Sequence, residues 1–179
     1  MIHRNAASAV HDAMFGPLLS VQEGLVLRQV IPNFFTSRAE VESFNAASPD
    51  PITEVKYSRL DQLENLRSAD GLFYFRMVYP DIGVEAVWTQ SSNPLTVPED
   101  TVSDFTLISG GDNTFRGLAF DTPNGASPGA WLNGQPNTGN WWWSAAAQIR
   151  WAGAGGAGLP ASQTAGNSSA HVEIYVTRN

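Results

Sequence analysis

Trp141, Trp142 and Trp143 form an uninterrupted tryptophan run in a stretch of the chain that carries almost no charge. Between residues 122 and 170 the sole charged side chain is Arg150, and glycine, asparagine, serine and alanine dominate. Each indole has a large apolar area, so the three rings cannot all face water. In a β-strand, Trp141 and Trp143 would share one face and Trp142 would take the other. We therefore expect one face to be a core or an interface, and the other to be a binding surface.

The composition excludes several classes of function. The chain has 179 residues, 42% of them hydrophobic, which suits one domain with a sizeable core. Its formal net charge of -7 and its scattered basic residues argue against a nucleic-acid partner or an anionic membrane. The absence of cysteine excludes disulfides and thiolate metal sites. No run has the apolar length of a membrane helix, and residues 1–5 do not open a secretory signal.

The order of secondary-structure signals predicts a mainly β or α+β fold, an antiparallel β-sandwich-like domain with one or two early helices. Residues 1–24 are predicted to form an N-terminal anchoring arm with a weak helix over 5–15, and residues 25–179 a β-rich recognition domain. Capping patterns predict helix starts at Ser37 and Ser58. Period-two and aromatic patterns predict strands over 25–30, 72–79, 85–90, 105–109, 115–120, 141–151 and 172–177.

Several separated motifs resemble a module of large algal and protist surface proteins and of viruses or phages of marine microbes. The resemblance spans about residues 55–177, and it implies surface exposure and adhesion or glycan binding. The family pattern has a tyrosine where Trp143 stands and a glycine where Arg116 stands. The motifs are Tyr57-Ser58-x-Leu60-Asp61-x-Leu63-Glu64, Asp70-Gly71-x-Phe73-x-Phe75, Trp88-Thr89-Gln90-Ser91-Ser92-Asn93-Pro94, Gly117-Leu118, Asn140-Trp141-Trp142-Trp143, Gly158-Leu159-Pro160 and Val172-Glu173-Ile174-Tyr175-Val176.

A fainter resemblance is to C-type lectin domains. It rests on the order of Gly117-Leu118, Trp131-Leu132-Asn133-Gly134 and Asn140-Trp141. The calcium-binding Glu-Pro-Asn motif of sugar-binding members does not occur, and its nearest counterpart is Gln135-Pro136-Asn137. This resemblance therefore implies a lectin-like fold without a calcium site.

Aromatic and amide side chains in the uncharged stretch are our candidate carbohydrate-binding residues. Sugars stack flat C–H faces on indole rings, and their hydroxyls pair with amide groups, so an uncharged surface of this kind suits a neutral glycan. The alternative is that the tryptophans pack the core or a subunit interface, while the amides and glycines turn the chain. The predicted site residues are Trp131, Asn133, Asn137, Asn140, Trp141 and Trp143.

Other chemistry has weaker support. A glycosidase needs two suitably spaced carboxylates, and Asp112 and Asp121 flank a predicted strand while Glu99, Asp100 and Asp104 precede another. The three histidines, His3, His11 and His171, have no metal-binding spacing and no Gly-x-Ser-x-Gly elbow to join. The Gly-x-Gly-x-x-Gly match over residues 153–158 has no helix after it and is interpreted as a loop. We predict no catalytic residue, no metal and no cofactor.

These observations favour a non-catalytic virion surface component, such as a phage head-decoration, spike or fibre protein. The arm would contact other virion proteins, the β domain would bind a host-surface glycan, and the chain would form a homo-oligomer at the virion surface or in an extracellular setting. A cellular lectin-like adhesion module and a polysaccharide-degrading enzyme are the alternatives. Nucleic acid and membrane insertion are not expected.

Overall fold

The computed structural model describes residues 23–96, 101–121, 129–136, 138, 141–150, 160–162 and 167–178. The predicted helix over residues 5–15 and the loop over 153–158 lie outside these ranges, as does the predicted arm up to residue 22. The two remaining residues of that arm, Glu23 and Gly24, open the first strand, which begins slightly earlier than its pattern predicts.

Antiparallel β-structure dominates the fold, as predicted. The largest sheet has six strands in the order β2-β1-β11-β3-β4-β5, so the first and last strands of the described chain are neighbours inside it. Their bounds are β1 Glu23–Val30, β2 Lys56–Ser58, β3 Phe73–Tyr79, β4 Val84–Gln90, β5 Thr106–Gly110 and β11 His171–Thr177.

A second sheet of three antiparallel strands closes the core. Its strands are β6 Ala119–Phe120, β7 Ala130–Asn133 and β8 Ala145–Ala147. A separate two-stranded ribbon pairs β9 Ala161–Ser162 with β10 Asn167–Ser168. The main core cluster contains buried side chains from both larger sheets, which makes the architecture sandwich-like.

The alternation of β3 shows how the core face is chosen. Phe73, Phe75, Met77 and Tyr79 are buried at every second position, while the residues between them are only partly buried. Because successive strand residues point to opposite faces, this segment can bury only one of its two faces against the second sheet. The strand therefore folds as its period-two pattern predicts.

The helical elements are short and precede β3. Helix α1 spans Arg38–Glu42, and its N-cap is Ser37, whose Oγ accepts a hydrogen bond from the Glu40 backbone N–H at 3.3 Å. The predicted second helix is a 3-10 helix over Leu60–Leu66, and a further 3-10 turn covers Pro51–Thr53. The cap at Ser37 is thus confirmed.

Two buried glutamines join the sheets. Gln90 of β4 accepts hydrogen bonds from the indole of Trp88 and from the backbone N–H of Leu118, both at 2.8 Å, and donates to the Leu118 carbonyl at 2.9 Å. Gln29 of β1 bonds the backbone N–H and carbonyl of Ala147 in β8 in the same way. Neither glutamine is exposed. Because an unpaired buried amide is costly, this satisfied pairing helps to set the position of the second sheet on the first.

Two predicted strands are shorter than expected. Over 115–120 only β6 is regular, because Arg116 bonds back to Gly134, Gly117 has a φ of 87° and Leu118 is held by Gln90. Over the described residues 141–150 only β8 is a strand, because Trp143 just before it adopts a φ of 58° and Ala146 within it a φ of 53°. A left-handed residue interrupts the extended backbone that a long strand requires.

Candidate functional site

The tryptophan run does not form a strand. Trp142 and Trp143 lie in a turn ahead of β8, and the positive φ of Trp143 breaks period-two alternation. The expectation that Trp141 and Trp143 share one face is therefore wrong. Trp143 is fully buried, whereas Trp141 and Trp142 are both partly exposed.

Trp143 belongs to the aromatic core. Its ring meets Phe115 edge-on at a centroid distance of 5.4 Å and Tyr79 at 6.0 Å. Its Nε1 donates to the Asp112 carboxylate at 3.1 Å. Burial raises the pKa of Tyr79 well above its usual range, and its hydroxyl donates to the Ser144 carbonyl at 3.0 Å. The indole polar atom is thus satisfied inside the protein.

Gly134 makes room for this ring. A Cβ atom at this position would stand 2.5 Å from the Cβ of Trp143 and 2.8 Å from a ring carbon of Phe115. The Gly134 backbone N–H also donates to the Trp143 carbonyl at 3.1 Å. The glycine that follows Asn133 therefore has a packing role.

Trp131 and Asn133 of β7 are also buried. Trp131 is 8% exposed, and its Nε1 donates to the Phe35 carbonyl at 3.2 Å. Asn133 is 5% exposed; its side-chain oxygen accepts from the Gln135 backbone at 2.8 Å and its amide donates to Asp121 at 3.4 Å. Both side chains are therefore buried, and neither is presented on the protein surface. Asn137 and Asn140, the other two predicted amides, lie outside the described residues.

Trp141 is the predicted site residue that reaches the surface in the described part of the chain. Its Nε1 donates to Asp121 Oδ2 at 2.7 Å. One part of its indole lies directly on Gly129, where a Cβ atom would stand 2.5 Å from the ring. The ring is thus fixed at its nitrogen and against the backbone, while part of it remains exposed.

Partly exposed aromatic rings surround the cross-strand pair of Ala130 and Ala147. We call these three rings, Phe34, Trp141 and Trp142, the aromatic patch. Trp142 also packs against the main core, so it joins the patch to the interior. The patch has an acidic group at one side, Asp121, through the bond to Trp141.

Asp112 and Asp121 both act as acceptors for indole N–H groups. Asp112 Oδ1 accepts from Trp143 and also from the Thr114 backbone N–H at 2.8 Å. Asp121 Oδ2 accepts from Trp141 and Asn133, whereas no residue in the described ranges donates to Oδ1. Asp112 and Asp121, the two carboxylates considered for a glycosidase mechanism, thus each hold one tryptophan in place.

The other candidate groups are scattered. Asp104 accepts from the Ser91 hydroxyl at 2.6 Å, and Glu99 and Asp100 lie outside the described residues. His171 contacts Glu173 at 3.0 Å on the opposite face of the large sheet from the core. Over the described ranges, no three histidine, cysteine, aspartate or glutamate side chains are grouped to hold a metal.

Two features of this site escape sequence reasoning. Phe34 precedes helix α1 and is far in sequence from the tryptophan run, so no spacing connects them. The bond from Trp141 to Asp121 joins residues that are 20 positions apart across the second sheet. A predicted antiparallel pairing of β6 with β7 is the signal that could bring Asp121 close to this region.

Comparison with protein-family models, curated proteins and solved structures found no match. The resemblances to a surface-protein module and to C-type lectin domains therefore stay predictions. A membrane-spanning helix is not found among the described helices, none of which has the necessary length and apolar character.

Proposed function

We propose that this chain is a non-catalytic recognition protein that binds a neutral glycan through the aromatic patch. The observation that carries this proposal is the setting of Trp141, a partly exposed indole held by Asp121 and packed on Gly129. An exposed ring with restricted motion loses little conformational entropy when a ligand stacks on it.

The chemistry beside Trp141 matches a sugar. The axial C–H groups of a pyranose form an apolar face that suits an indole, and the hydroxyls at its rim need hydrogen-bond partners. Asp121 Oδ2 is occupied by Trp141, and Oδ1 receives no bond from the described part of the chain. That oxygen would accept one ligand hydroxyl while the ring of Trp141 carries the sugar face.

Neutrality of the ligand follows from the low charge around the patch. Residues 122–170 carry one charged side chain, Arg150, which donates to the Ser168 side chain at 3.2 Å. A sulfated or uronic polymer would meet a chain with a net charge of -7 and the Asp121 carboxylate beside Trp141. The nearby Lys56, which donates to the Phe34 carbonyl at 3.1 Å, is already paired with Glu40. An uncharged glycan avoids that repulsion.

We further propose that the protein is displayed on a virus particle, as a spike, fibre or head-decoration component. The support is the combination of a sandwich-like fold with a cysteine-free sequence and with motifs that resemble those of viral surface modules. Residues 1–24 would contact other virion proteins. Immunogold labelling of purified particles tests this assignment, and particles that carry no label would contradict it.

Glycan binding is tested on an array of neutral and acidic glycans. The wild-type protein should retain neutral structures, and Trp141→Ala should weaken binding at least about tenfold, which corresponds to about 1.4 kcal/mol. Trp141→Phe keeps a stacking ring but loses the bond to Asp121, so its affinity should lie between the two. Ile82→Ala, a change to an exposed residue in the turn between β3 and β4, serves as the matched control and should bind normally.

The proposal is contradicted if the wild-type protein binds no neutral glycan, or if Trp141→Ala binds like the wild type. A reducing-sugar assay on each retained glycan separates binding from cleavage. Steady release of reducing ends would overturn the non-catalytic assignment and favour the polysaccharide-degrading alternative, with Asp121→Asn as the first variant to examine.

A further inference from the structure

The two edges of the six-stranded sheet differ in how they are covered. At the β2 edge, Phe44 and Ser58 exchange two backbone hydrogen bonds of 2.8 Å each, so the outer side of that strand is occupied. β2 also contains Lys56, a charged side chain of the kind that discourages strand addition. This edge is therefore protected against pairing with another chain.

The β5 edge lacks this protection. Among the described residues, β5 pairs with β4 alone, and no backbone bond reaches its other side. Thr106, Leu107 and Gly110 are exposed, and Leu107 is 37% exposed although it is a large apolar residue. The strand Thr-Leu-Ile-Ser-Gly has no charge and no proline. An open, uncharged edge with free backbone groups is a template for strand pairing.

We propose that β5 pairs antiparallel with β5 of a second copy of this chain, which would join two six-stranded sheets across a two-fold axis. A register centred on Ile108, the extra residue of the bulge that faces Val87 and Trp88, sets Thr106 opposite Gly110 of the second copy and Leu107 opposite Ser109 of the second copy. No charged residues meet in this register, so the strand is complementary to itself. An isologous contact of this kind closes after two copies.

The occupant is a second copy rather than a charged peptide for two reasons. β5 presents no basic or acidic side chain that would select a partner of opposite charge. The opposite edge is covered by Phe44, so the same contact cannot propagate into a fibre through β2. This inference does not depend on glycan binding, because the aromatic patch packs against Ala130 and Ala147 of the second sheet, whereas β5 is an edge strand of the first.

The association should be weak and should strengthen with salt. β5 has five residues, and the register shift between Val87 and Trp88 twists it, so the paired segment is short. A small interface of this type gives a transient complex, with a dissociation constant on the order of micromolar. Each copy carries a formal net charge of -7, so two copies repel each other, and salt screens that repulsion.

Sedimentation velocity over a concentration series tests the proposal on the full chain. The wild type should shift from monomer to dimer as concentration rises, and more so at higher salt. Leu107→Lys places like charges close together across the two-fold axis and should remain monomeric. Ile82→Lys is the matched control, because Ile82 is also 37% exposed but lies in the turn between β3 and β4.

A wild-type protein that stays monomeric throughout the series would overturn the proposal. Dimers of the Leu107→Lys variant, or a closed wild-type oligomer larger than a dimer, would overturn it as well. Hydrogen–deuterium exchange gives the second readout. The amides of residues 106–110 should exchange more slowly at high concentration than at low concentration in the wild type and in Ile82→Lys, but equally fast at both in Leu107→Lys. Normal glycan binding by a monomeric wild type would remove this inference and leave the proposed function intact.

Discussion

Trp143 and Trp141 each donate an indole N–H to an aspartate, at 3.1 Å to Asp112 and at 2.7 Å to Asp121. Trp143 is completely buried between aromatic rings, whereas Trp141 lies on Gly129 and keeps part of its ring at the surface. Two identical side chains, separated by one residue, are therefore buried in the core in one place and partly exposed in the proposed binding surface in the other. A hydrogen bond from the indole N–H to a carboxylate therefore does not distinguish a core tryptophan from a surface one.

The surroundings of the two aspartates explain the difference. Asp112 takes part in the turn that leads to Phe115, and it accepts bonds from Thr114 as well as Trp143. Asp121 follows β6 at the rim of the small sheet, beyond the aromatic core. The first carboxylate lies where chain segments converge, and the second lies where the sheet ends.

The largest expected effect is on folding stability. Trp143→Ala should lower the free energy of unfolding by about 4 kcal/mol, because it removes a fully buried ring and leaves a cavity between Phe115 and Tyr79. Trp141→Ala should cost only about 1 kcal/mol, because its ring is partly exposed. Urea unfolding measures the loss of unfolding free energy in both variants. Equal losses would contradict the assignment of Trp143 to the core and Trp141 to the surface.

A smaller effect is expected at the two aspartates. Asp112→Ala leaves the Trp143 N–H buried without an acceptor and should cost about 2 kcal/mol. Asp121→Ala should cost less, because the Trp141 N–H can reach water, but it should reduce glycan binding. Asp112→Asn retains an acceptor oxygen and is the control for the loss of charge alone. If Asp112→Asn is as unstable as Asp112→Ala, the charge of Asp112 matters more than its bond to Trp143.

The smallest effect is a change in alkaline stability. Burial raises the pKa of Tyr79, so the folded protein keeps that proton after the unfolded chain has lost it above about pH 10. The free energy of unfolding should therefore fall as pH rises, by about 1.4 kcal/mol per pH unit from this group. Tyr79→Phe should remove that part of the slope.

Other tyrosines contribute to the same pH range, because burial also raises the pKa of Tyr57 and of Tyr175. The test is thus the difference in slope between Tyr79→Phe and the wild type, measured by unfolding at several alkaline pH values. Parallel curves would contradict the raised pKa of Tyr79. Tyr175→Phe, on the outer face of the sheet, provides the comparison variant.

Five of the six strands of the large sheet were predictable because their patterns are local. The exception is β2, whose last residue, Ser58, was predicted to start a helix. The alternation in β3, the run before the Ser91–Pro94 turn and the strand that ends the chain have nearly the predicted bounds. The cap at Ser37 was predictable for the same reason, since its partner Glu40 is three residues away. Elements whose contacts are close in sequence are therefore the ones that the sequence predicts well.

The second sheet was less predictable, because its backbone is shaped by distant partners. Gln90 holds Leu118 and Gln29 holds Ala147, over separations of 28 and 118 residues, so β6 and β8 are short where their sequences suggest long strands. Neither glutamine has a sequence context that predicts burial. Their partners are backbone groups, which every residue type has, so the identities of Leu118 and Ala147 do not reveal these bonds.

The sequence alone determined that the chain is mainly β, that one helix starts after Ser37, and that its tryptophans and uncharged loops are the residues to examine. The tertiary structure decided that Trp131 and Trp143 are buried and that Trp141 reaches the surface with Asp121 and Phe34. The physical reason is that one left-handed residue, Trp143, turns the run out of the strand geometry. The direction of each ring then depends on which distant acceptor and which small residue meet it.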